Sequence, residues 1–167
     1  RRIILADTLL KDYTHDEIEA VLAHELGHHV HKHILQSIVV QVGITFAGFW
    51  AANWALRYAI ERRGMFLNLS DFAGLPLLAL VSTVMSFLLM PALNAYSRRK
   101  EREADRYSFQ AIASIGPFVS SMEKLCEQNL AERTPSPVVE WFFHSHPAIS
   151  KRVAAAEAWA QTQRAAS

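Results

Sequence analysis

The amino-acid sequence predicts a mainly α-helical protein in which a transmembrane helical hairpin is inserted into a more highly charged domain. The chain has 167 residues, of which 51% are hydrophobic and 20% are charged. The charges are unevenly distributed, because no Asp, Glu, Lys or Arg occurs in residues 34–56 or 72–97. A helix-capping pattern precedes the first of these runs, and a charged segment with helical spacing follows the second. The average composition therefore conceals two different populations of residues.

Net charge and cysteine content exclude several classes of protein. The net charge is only +1, whereas an intrinsically disordered chain needs low hydrophobicity or a large net charge. The same balance excludes a strongly basic nucleic-acid-binding protein, and we expect no nucleic-acid partner. Cys126 is the only cysteine, which excludes an intramolecular disulfide framework and a cysteine-rich zinc ribbon.

The two uncharged runs are long enough to cross a membrane as helices. They contain 23 and 26 residues, which correspond to about 34 and 39 Å against a hydrocarbon core of about 30 Å. Two buried helices of a soluble protein are the less favoured alternative for a chain of this size. We therefore predict transmembrane helices at residues 34–60 and 72–97, with the lipid bilayer as a partner. A stripe of small residues, which permits close helix packing, consists of Gly43, Ala47, Ala51 and Ala55.

The distribution of basic residues predicts the orientation of this hairpin. The connector between the two uncharged runs, residues 57–71, carries three basic residues, and the flanks on the opposite side carry six: Lys32, Arg98, Arg99, Lys100, Arg102 and Arg106. Basic residues are enriched on the cytoplasmic side of membrane proteins. We expect a multi-pass integral membrane protein whose two charged segments are cytoplasmic.

A histidine motif lies on the helix that precedes the first run. Thr14 and Glu17 have the spacing of a capping box, so a helix is expected to begin directly after Thr14. It carries the pattern H-E-x-x-H, in which His24 and His28 lie about 40° apart around the helix axis and can bind one ion. Zinc suits such ligands, and Glu25 is placed to accept a proton from a metal-bound water.

Four further histidines surround this motif: His15, His29, His31 and His33. One interpretation is additional metal binding or a pH sensor. The favoured interpretation is that they are polar residues at membrane-proximal positions, without a fixed charge.

The charged segment after the second run offers the missing third zinc ligand. A catalytic zinc site needs three protein ligands and one open position. Glu101 and Asp105 share a helix face, and Glu103 points away from both. Glu101 is the candidate ligand, and Asp105 can accept a hydrogen bond from a ligand histidine. A solvated charged helix is the alternative, but the predicted hairpin returns the chain to the same side of the membrane despite 72 intervening residues.

The combination of motifs resembles the integral-membrane zinc endopeptidases, specifically the type 1 CAAX prenyl protease family, to which HtpX-type bacterial membrane proteases are related. The resemblance covers nearly the whole chain. The matching residues are Asp7-Thr8-Leu9-Leu10, Glu17-Ile18, Val21-Leu22-Ala23-His24-Glu25-Leu26-Gly27-His28, Asn94-Ala95-Tyr96-Ser97-Arg98, Glu101-x-x-Ala104-Asp105, Ser145-His146-Pro147 and Arg152.

The resemblance implies a membrane zincin (gluzincin-like) catalytic domain with the transmembrane hairpin inserted in it. It implies that His24, His28 and Glu101 bind one Zn²⁺ per chain and that Glu25 is the general base. Asp105 is expected to accept a hydrogen bond from a ligand histidine, at the ring nitrogen that does not bind the metal.

The resemblance also implies that His146 and Arg152 approach the site from the C-terminal segment. By analogy, His146 stabilises the developing oxyanion, and Arg152 organises that region or touches the substrate. His144 is a second candidate for the role of His146. Taken locally, Ser-His-Pro before a helix is a cap followed by proline in the first turn.

Members of this family carry further transmembrane helices upstream of the zinc helix. We therefore expect residues 1–167 to be a single peptidase domain, the C-terminal catalytic part of a larger membrane protease, with upstream helices as partners. Residues 2–6 are expected to form an edge strand beside the cleft. Residues 98–167 are expected to hold the second ligand helix and a C-terminal helical segment, in which Phe118, Met122 and Leu125 belong to the core.

Three functions compete at this stage. The first is a CAAX-type endopeptidase that cleaves prenylated or related peptides, favoured by Asp7-Thr8-Leu9-Leu10 and Phe143-His144-Ser145-His146-Pro147. The second is an HtpX-like protease that degrades misfolded membrane proteins. The third is a non-catalytic membrane scaffold that binds metal, against which the intact Glu25 argues. All three leave the physiological substrate open.

Overall fold

The computed structural model describes residues 7–166, which form seven α-helices and contain no β-strand. The mainly α-helical prediction is confirmed, and the edge strand expected at residues 2–6 lies outside the described residues. The helices are α1 (Asp7–Asp12), α2 (His15–Val30), α3 (His33–Arg63), α4 (Leu75–Ala111), α5 (Gly116–Gln128), α6 (Pro137–Phe143) and α7 (Ile149–Ala166), with a short 3₁₀ helix at Phe72–Gly74.

The chain divides into two compact units. The first unit comprises Arg1–His33 and Asn94–Ser167, and the hairpin unit comprises Ile34–Leu93. The sequence motifs with chemical content all belong to the first unit. The uncharged runs supply most of the hairpin unit.

Helices α3 and α4 cover most of the two predicted spans, but their bounds differ. Helix α4 begins at Leu75, so Pro76 lies in the first helical turn, where the missing N–H of proline is not needed. It then continues without interruption to Ala111, past the end predicted at residue 97. No glycine or proline occurs between Asn94 and Ala111 to end it. The second apolar run and the predicted ligand helix are therefore one helix.

The apolar side chains of the hairpin unit face outward. Both helices are long and apolar enough to cross a membrane, and only 0% and 6% of their most hydrophobic 18-residue windows are buried. The core helix of a soluble protein would bury such a window. Large exposed apolar surfaces of this kind mark contact with a membrane or a partner.

The small residues that pack within the hairpin unit differ from the predicted stripe. A Cβ atom added to Gly43 would meet nothing within 4 Å, whereas one added to Gly48 would lie 2.8 Å from Cε of Met85. Ala52 and Ala59 are buried. The contact within the hairpin unit therefore does not use the Gly43 stripe. The sequence contains two small-residue stripes, and spacing alone does not choose between them.

The first unit has a compact core between α2, α5 and α7. The core cluster comprises Ala20, Phe109, Phe118, Met122, Val153 and Ala156, and Leu125 packs against it. This confirms the predicted core positions in α5. Helix α2 begins with the predicted capping box: Glu17 N–H donates to Thr14 Oγ1 at 3.3 Å, and Thr14 N–H donates to Glu17 Oε2 at 2.7 Å.

Candidate metal centre

Small residues bring α2 and α4 into direct contact beside the histidine motif. A Cβ atom on Gly27 would lie 2.9 Å from Cα of Ala104, and Ala104 is fully buried. Two turns away, the Ser108 hydroxyl donates a hydrogen bond of 3.0 Å to the Ala20 carbonyl. The glycine of H-E-L-G-H and the alanine of E-x-x-A-D thus allow the helices to approach at the level of the predicted ligands.

Three potential ligand atoms meet where the helices touch. Nε2 of His24 lies 3.4 Å from Oε2 of Glu101, and Nε2 of His28 lies 3.3 Å from Oε1 of the same carboxylate. The two histidine Nε2 atoms are 3.2 Å apart. The cluster of His24, His28 and Glu101 is the one group in the described part of the chain with three donor atoms within 4.8 Å of one another.

These distances fit a tetrahedral zinc site. Nitrogen and oxygen ligands about 2.0–2.2 Å from zinc lie about 3.3–3.6 Å from one another at tetrahedral angles. The observed separations of 3.2–3.4 Å are similar to these lengths, with the two histidines facing different oxygens of the Glu101 carboxylate. The donor set of two imidazoles and one carboxylate also suits zinc and leaves the fourth position open.

Asp105 and Arg152 hold His24 from the side opposite to the cluster. Nδ1 of His24 lies 2.9 Å from Oδ1 of Asp105. Arg152 donates two hydrogen bonds to the same carboxylate, from Nε at 2.8 Å and from Nη2 at 2.5 Å. All three residues are buried. An ionised carboxylate only accepts hydrogen bonds, so Nδ1 of His24 carries a proton, and Nε2 presents a lone pair to the cluster whenever the ring is in its neutral form.

The carboxylates around His24 create a strongly negative environment. Burial by itself lowers the pKa of His24, but the hydrogen bonds to Asp105 and Glu101 outweigh it and raise the pKa to about 9. Burial raises the pKa of Glu101, yet the hydrogen bond to His24 and the nearby histidine charges hold that pKa below its ordinary value. The site therefore favours a positive charge at this point, whether a proton or a metal cation supplies it.

The other predicted active-site residues lie around this cluster. Glu25 is exposed, next to His24 on α2, and makes no hydrogen bond or ion pair with the described residues. The side chain of His146 is 62% exposed, with Nε2 3.5 Å from Oε1 of Glu101 and Nδ1 3.0 Å from the Ser145 hydroxyl. The imidazole of His144 makes no such contact with the described residues. His146 is thus the histidine that the structure brings near the cluster.

The segment that carries His146 is attached to α4 by residues of the Asn94–Arg98 motif. Asn94 Nδ2 donates to the Phe142 carbonyl at 2.5 Å. The buried Arg98 guanidinium donates to the carbonyls of Glu140, at 3.0 Å, and of His144, at 2.5 Å. Asn94 and Arg98 therefore hold the end of α6 and the start of the loop between α6 and α7. The sequence interpretation did not identify this role.

Sequence reasoning also missed a neighbour of the second histidine. His33 contacts His28, with ring centroids 5.0 Å apart, and it contacts Glu103 at 3.1 Å. Spacing did not predict this contact, because His28 and His33 are five residues apart and would diverge by about 140° on a continuous helix.

Comparison with known proteins decides the family. The sequence matches the model of peptidase family M48 over residues 1–160. The chain belongs to peptidase family M48. This membership, together with the helical architecture, confirms the resemblance drawn from the sequence motifs.

Two known proteins are similar to this chain over most of its length. The uncharacterized metalloprotease YhfN of Bacillus subtilis (strain 168) is 32% identical over 160 residues, which cover 94% of this chain and 38% of YhfN. A crystal structure of S. mikatae Ste24p is similar with a TM-score of 0.75 and 26% identity, over 92% of this chain and 38% of that one. The chain thus spans 38% of the length of each of these two proteins.

Proposed function

We propose that this M48 chain forms the zinc-dependent, peptide-hydrolysing part of a membrane-embedded endopeptidase. The observation that carries the proposal is the cluster of His24, His28 and Glu101, whose contacting donor atoms lie 3.2–3.4 Å apart, with the exposed Glu25 beside it on α2. A metal site without a catalytic role has no use for this carboxylate.

In this proposal, His24, His28 and Glu101 hold one Zn²⁺. Zinc bound there would polarise a peptide carbonyl and acidify water. Glu25 accepts the proton of the attacking water and transfers it to the leaving amine. Arg152 acts through Asp105, which keeps the Nδ1 proton of His24 in place.

His146 is proposed to stabilise the oxyanion that develops on the substrate carbonyl. Its imidazole is exposed and lies at the edge of the cluster, where a substrate can reach it. The hydrogen bond with Ser145 orients its Nδ1, which leaves Nε2 directed towards the Glu101 side of the cluster. Donors of this kind contribute about 10²–10³ to the rate of acyl transfer.

The two candidate membrane spans support this assignment and restrict the choice of substrate. The exposed apolar surfaces of α3 and α4 and the positive-inside distribution favour a multi-pass protein with the site on the cytoplasmic side. Upstream transmembrane helices are proposed as partners of these surfaces. The two candidate membrane spans favour peptides that are delivered near the membrane surface.

Among such peptides, we propose the C-terminal regions of prenylated or related substrates, as in CAAX processing. The motifs Asp7-Thr8-Leu9-Leu10 and Phe143-His144-Ser145-His146-Pro147 support this choice. HtpX-like degradation of misfolded membrane proteins is the second candidate, favoured by the same zinc-site motifs. Comparing the hydrolysis of a farnesylated peptide with that of an unfolded membrane protein separates the two.

Substitution of the proposed base tests the reaction. Glu25→Gln is expected to reduce peptide hydrolysis by about 10²–10⁴-fold while zinc content stays at one per chain. Glu19→Gln, an exposed change on the same helix, is the control and should leave hydrolysis unchanged. Full hydrolysis by Glu25→Gln at unchanged zinc content would overturn the mechanism. Stoichiometric zinc without hydrolysis of any peptide would instead support the scaffold function.

A further inference from the structure

We propose that His33 and Glu103 are positioning residues for His28, which fix the proton on the far side of its ring and so prepare Nε2 for the metal. This inference rests on the proposed zinc site. It concerns His33, which the sequence interpretation treated as a polar membrane-proximal residue, and Glu103, which it placed on the helix face away from Glu101 and Asp105.

The three side chains form a continuous line of contacts that ends in the cluster. Nδ1 of His28 lies 3.0 Å from Nδ1 of His33, and Nε2 of His33 lies 3.1 Å from Oε2 of Glu103. The His33 side chain is 3% exposed and the Glu103 side chain is 37% exposed. The line therefore runs from a partly solvated carboxylate through a buried imidazole to the proposed ligand.

Only one arrangement of protons satisfies this line when both rings are neutral. The ionised Glu103 only accepts hydrogen bonds, so Nε2 of His33 carries the proton. Nδ1 of His33 is then an acceptor, and Nδ1 of His28 must donate to it. Nε2 of His28 is left with a lone pair, 3.3 Å from Glu101 and 3.2 Å from Nε2 of His24. This lone pair faces the ligand cluster and is available to a metal cation bound there.

The turn between α2 and α3 makes this contact possible. Helix α2 ends at Val30 and α3 begins at His33. Lys32 between them adopts the left-handed region, with φ of 56°, which a non-glycine residue rarely occupies. The buried Lys100 ammonium donates a hydrogen bond of 3.0 Å to the His33 carbonyl. The break at residues 31 and 32 therefore changes the direction in which the His33 side chain points. The hydrogen bond from Lys100 on α4 holds His33 in this position.

Both proposed histidine ligands are therefore supported by a carboxylate on α4. Asp105 contacts Nδ1 of His24 directly, whereas Glu103 reaches Nδ1 of His28 through the imidazole of His33. Outer hydrogen bonds of this kind orient the ring, fix its tautomer and raise its basicity, and their loss costs about 10–100-fold in metal affinity.

Zinc affinity of the full chain, measured by competition with a chromogenic chelator, tests the inference. His33→Phe, which removes the acceptor and keeps the ring, is expected to weaken zinc binding by about 10–100-fold. His33→Asn places a carbonyl oxygen near the position of Nδ1 and is expected to restore most of the affinity. Glu103→Ala is expected to weaken binding by about 10-fold. Arg99→Gln, which removes the other partner of Glu103, is the control and should change little.

A purely structural role for His33 predicts a different pattern. In that case His33→Phe and His33→Asn would both lower the melting temperature, and neither would change zinc affinity selectively. Wild-type affinity in His33→Phe, or no recovery in His33→Asn, overturns the inference. If His33→Phe does not fold, unchanged affinity in Glu103→Ala overturns it. If the wild-type chain itself binds no zinc, the result contradicts the proposed function and not only this inference.

Discussion

Oδ1 of Asp105 lies 2.9 Å from Nδ1 of His24 and also accepts a hydrogen bond from Arg152 at 2.5 Å. Burial raises the pKa of Asp105, but the hydrogen bonds from His24 and Arg152 outweigh it and hold the pKa below its ordinary value. The carboxylate consequently stays ionised at neutral pH and remains an acceptor towards both partners. One side chain of α4 thus couples α7 to the zinc helix.

Asp105→Asn tests this coupling. The amide removes the negative charge that both His24 and Arg152 face, so we expect zinc affinity to fall by about 10–100-fold. The buried Arg152 loses its anionic partner, so the free energy of unfolding should fall by about 3–5 kcal/mol. Chelator competition and thermal unfolding measure the two effects. Asp16→Asn, an exposed change in the first turn of α2, is the control, and equal behaviour of the two variants would contradict the prediction.

Gly27→Ala tests the close contact between α2 and α4. The added Cβ would lie 2.9 Å from Cα of Ala104 and 3.1 Å from its carbonyl oxygen, and backbone atoms yield only if a helix moves. We expect a loss of about 1–3 kcal/mol of stability, together with weaker zinc binding because Glu101 moves away from the histidines.

Gly43→Ala is the matched control for this substitution. Gly43 is also helical, but its added Cβ meets nothing within 4 Å. The gain in helix propensity should leave stability unchanged or raise it by up to about 1 kcal/mol. If both alanine variants bind zinc like the wild type, contact at Gly27 does not set the distances of the cluster.

Arg98→Gln tests how the loop with His146 is held. The buried guanidinium bridges the carbonyls of Glu140 and His144, and glutamine is too short to replace both hydrogen bonds. We expect kcat for peptide hydrolysis to fall by about 10–100-fold, because His146 loses its position as an oxyanion donor. Zinc affinity should stay constant, because Arg98 contacts none of the ligands. Arg102→Gln, one turn later on the exposed side of α4, should retain wild-type kcat.

The capping carboxylate of α2 predicts a loss of stability in acid. Burial raises the pKa of Glu17, but hydrogen bonds from Lys124, Ser120 and Thr14 prevail and lower it from 4.5 to about 2. A carboxyl group with a lowered folded-state pKa stabilises the fold above the unfolded pKa, and this contribution disappears as the pH falls from about 4.5 to about 2. Glu17→Gln should therefore destabilise the protein by about 1–3 kcal/mol at pH 7.

Melting temperatures measured between pH 7 and pH 3 check this prediction. The difference between wild type and Glu17→Gln should shrink as the pH falls, because the wild type alone loses the ionised carboxylate. Glu19→Gln, an exposed change two residues away on the same helix, should show no such trend. A difference that stays constant over this pH range would assign the effect to shape and not to charge.

Local spacing was sufficient to predict the parts of the site that lie on regular helices. His24 and His28 are four residues apart on α2, and Glu101 and Asp105 are four apart on α4, so helical geometry alone fixes which side chains share a face. The two uncharged runs predicted a helical hairpin, which brings the charged segments before and after it to the same side. The capping box at Thr14 and Glu17 likewise follows from local backbone chemistry.

Features that depend on breaks in helices or on long-range contacts were not predictable in this way. His33 reaches His28 only because Lys32 adopts a left-handed conformation, which its sequence context does not signal. The choice of Gly48 over Gly43 for close packing depends on the rotation of α3 about its axis. Arg98 reaches carbonyls more than 40 residues away, and no periodicity encodes such a partner.

The separation of the ligand cluster along the chain has a consequence for biosynthesis. The two histidines leave the ribosome before the apolar helices, and 72 residues separate His28 from Glu101. Closing a flexible loop of this length costs about 4 kcal/mol of chain entropy. Formation of the helical hairpin orders the loop beforehand, so this cost no longer opposes assembly of the cluster. A nascent chain therefore has two imidazoles but no carboxylate to complete the set. The proposed set of three ligands is therefore complete only after the apolar segment between its members has been synthesised.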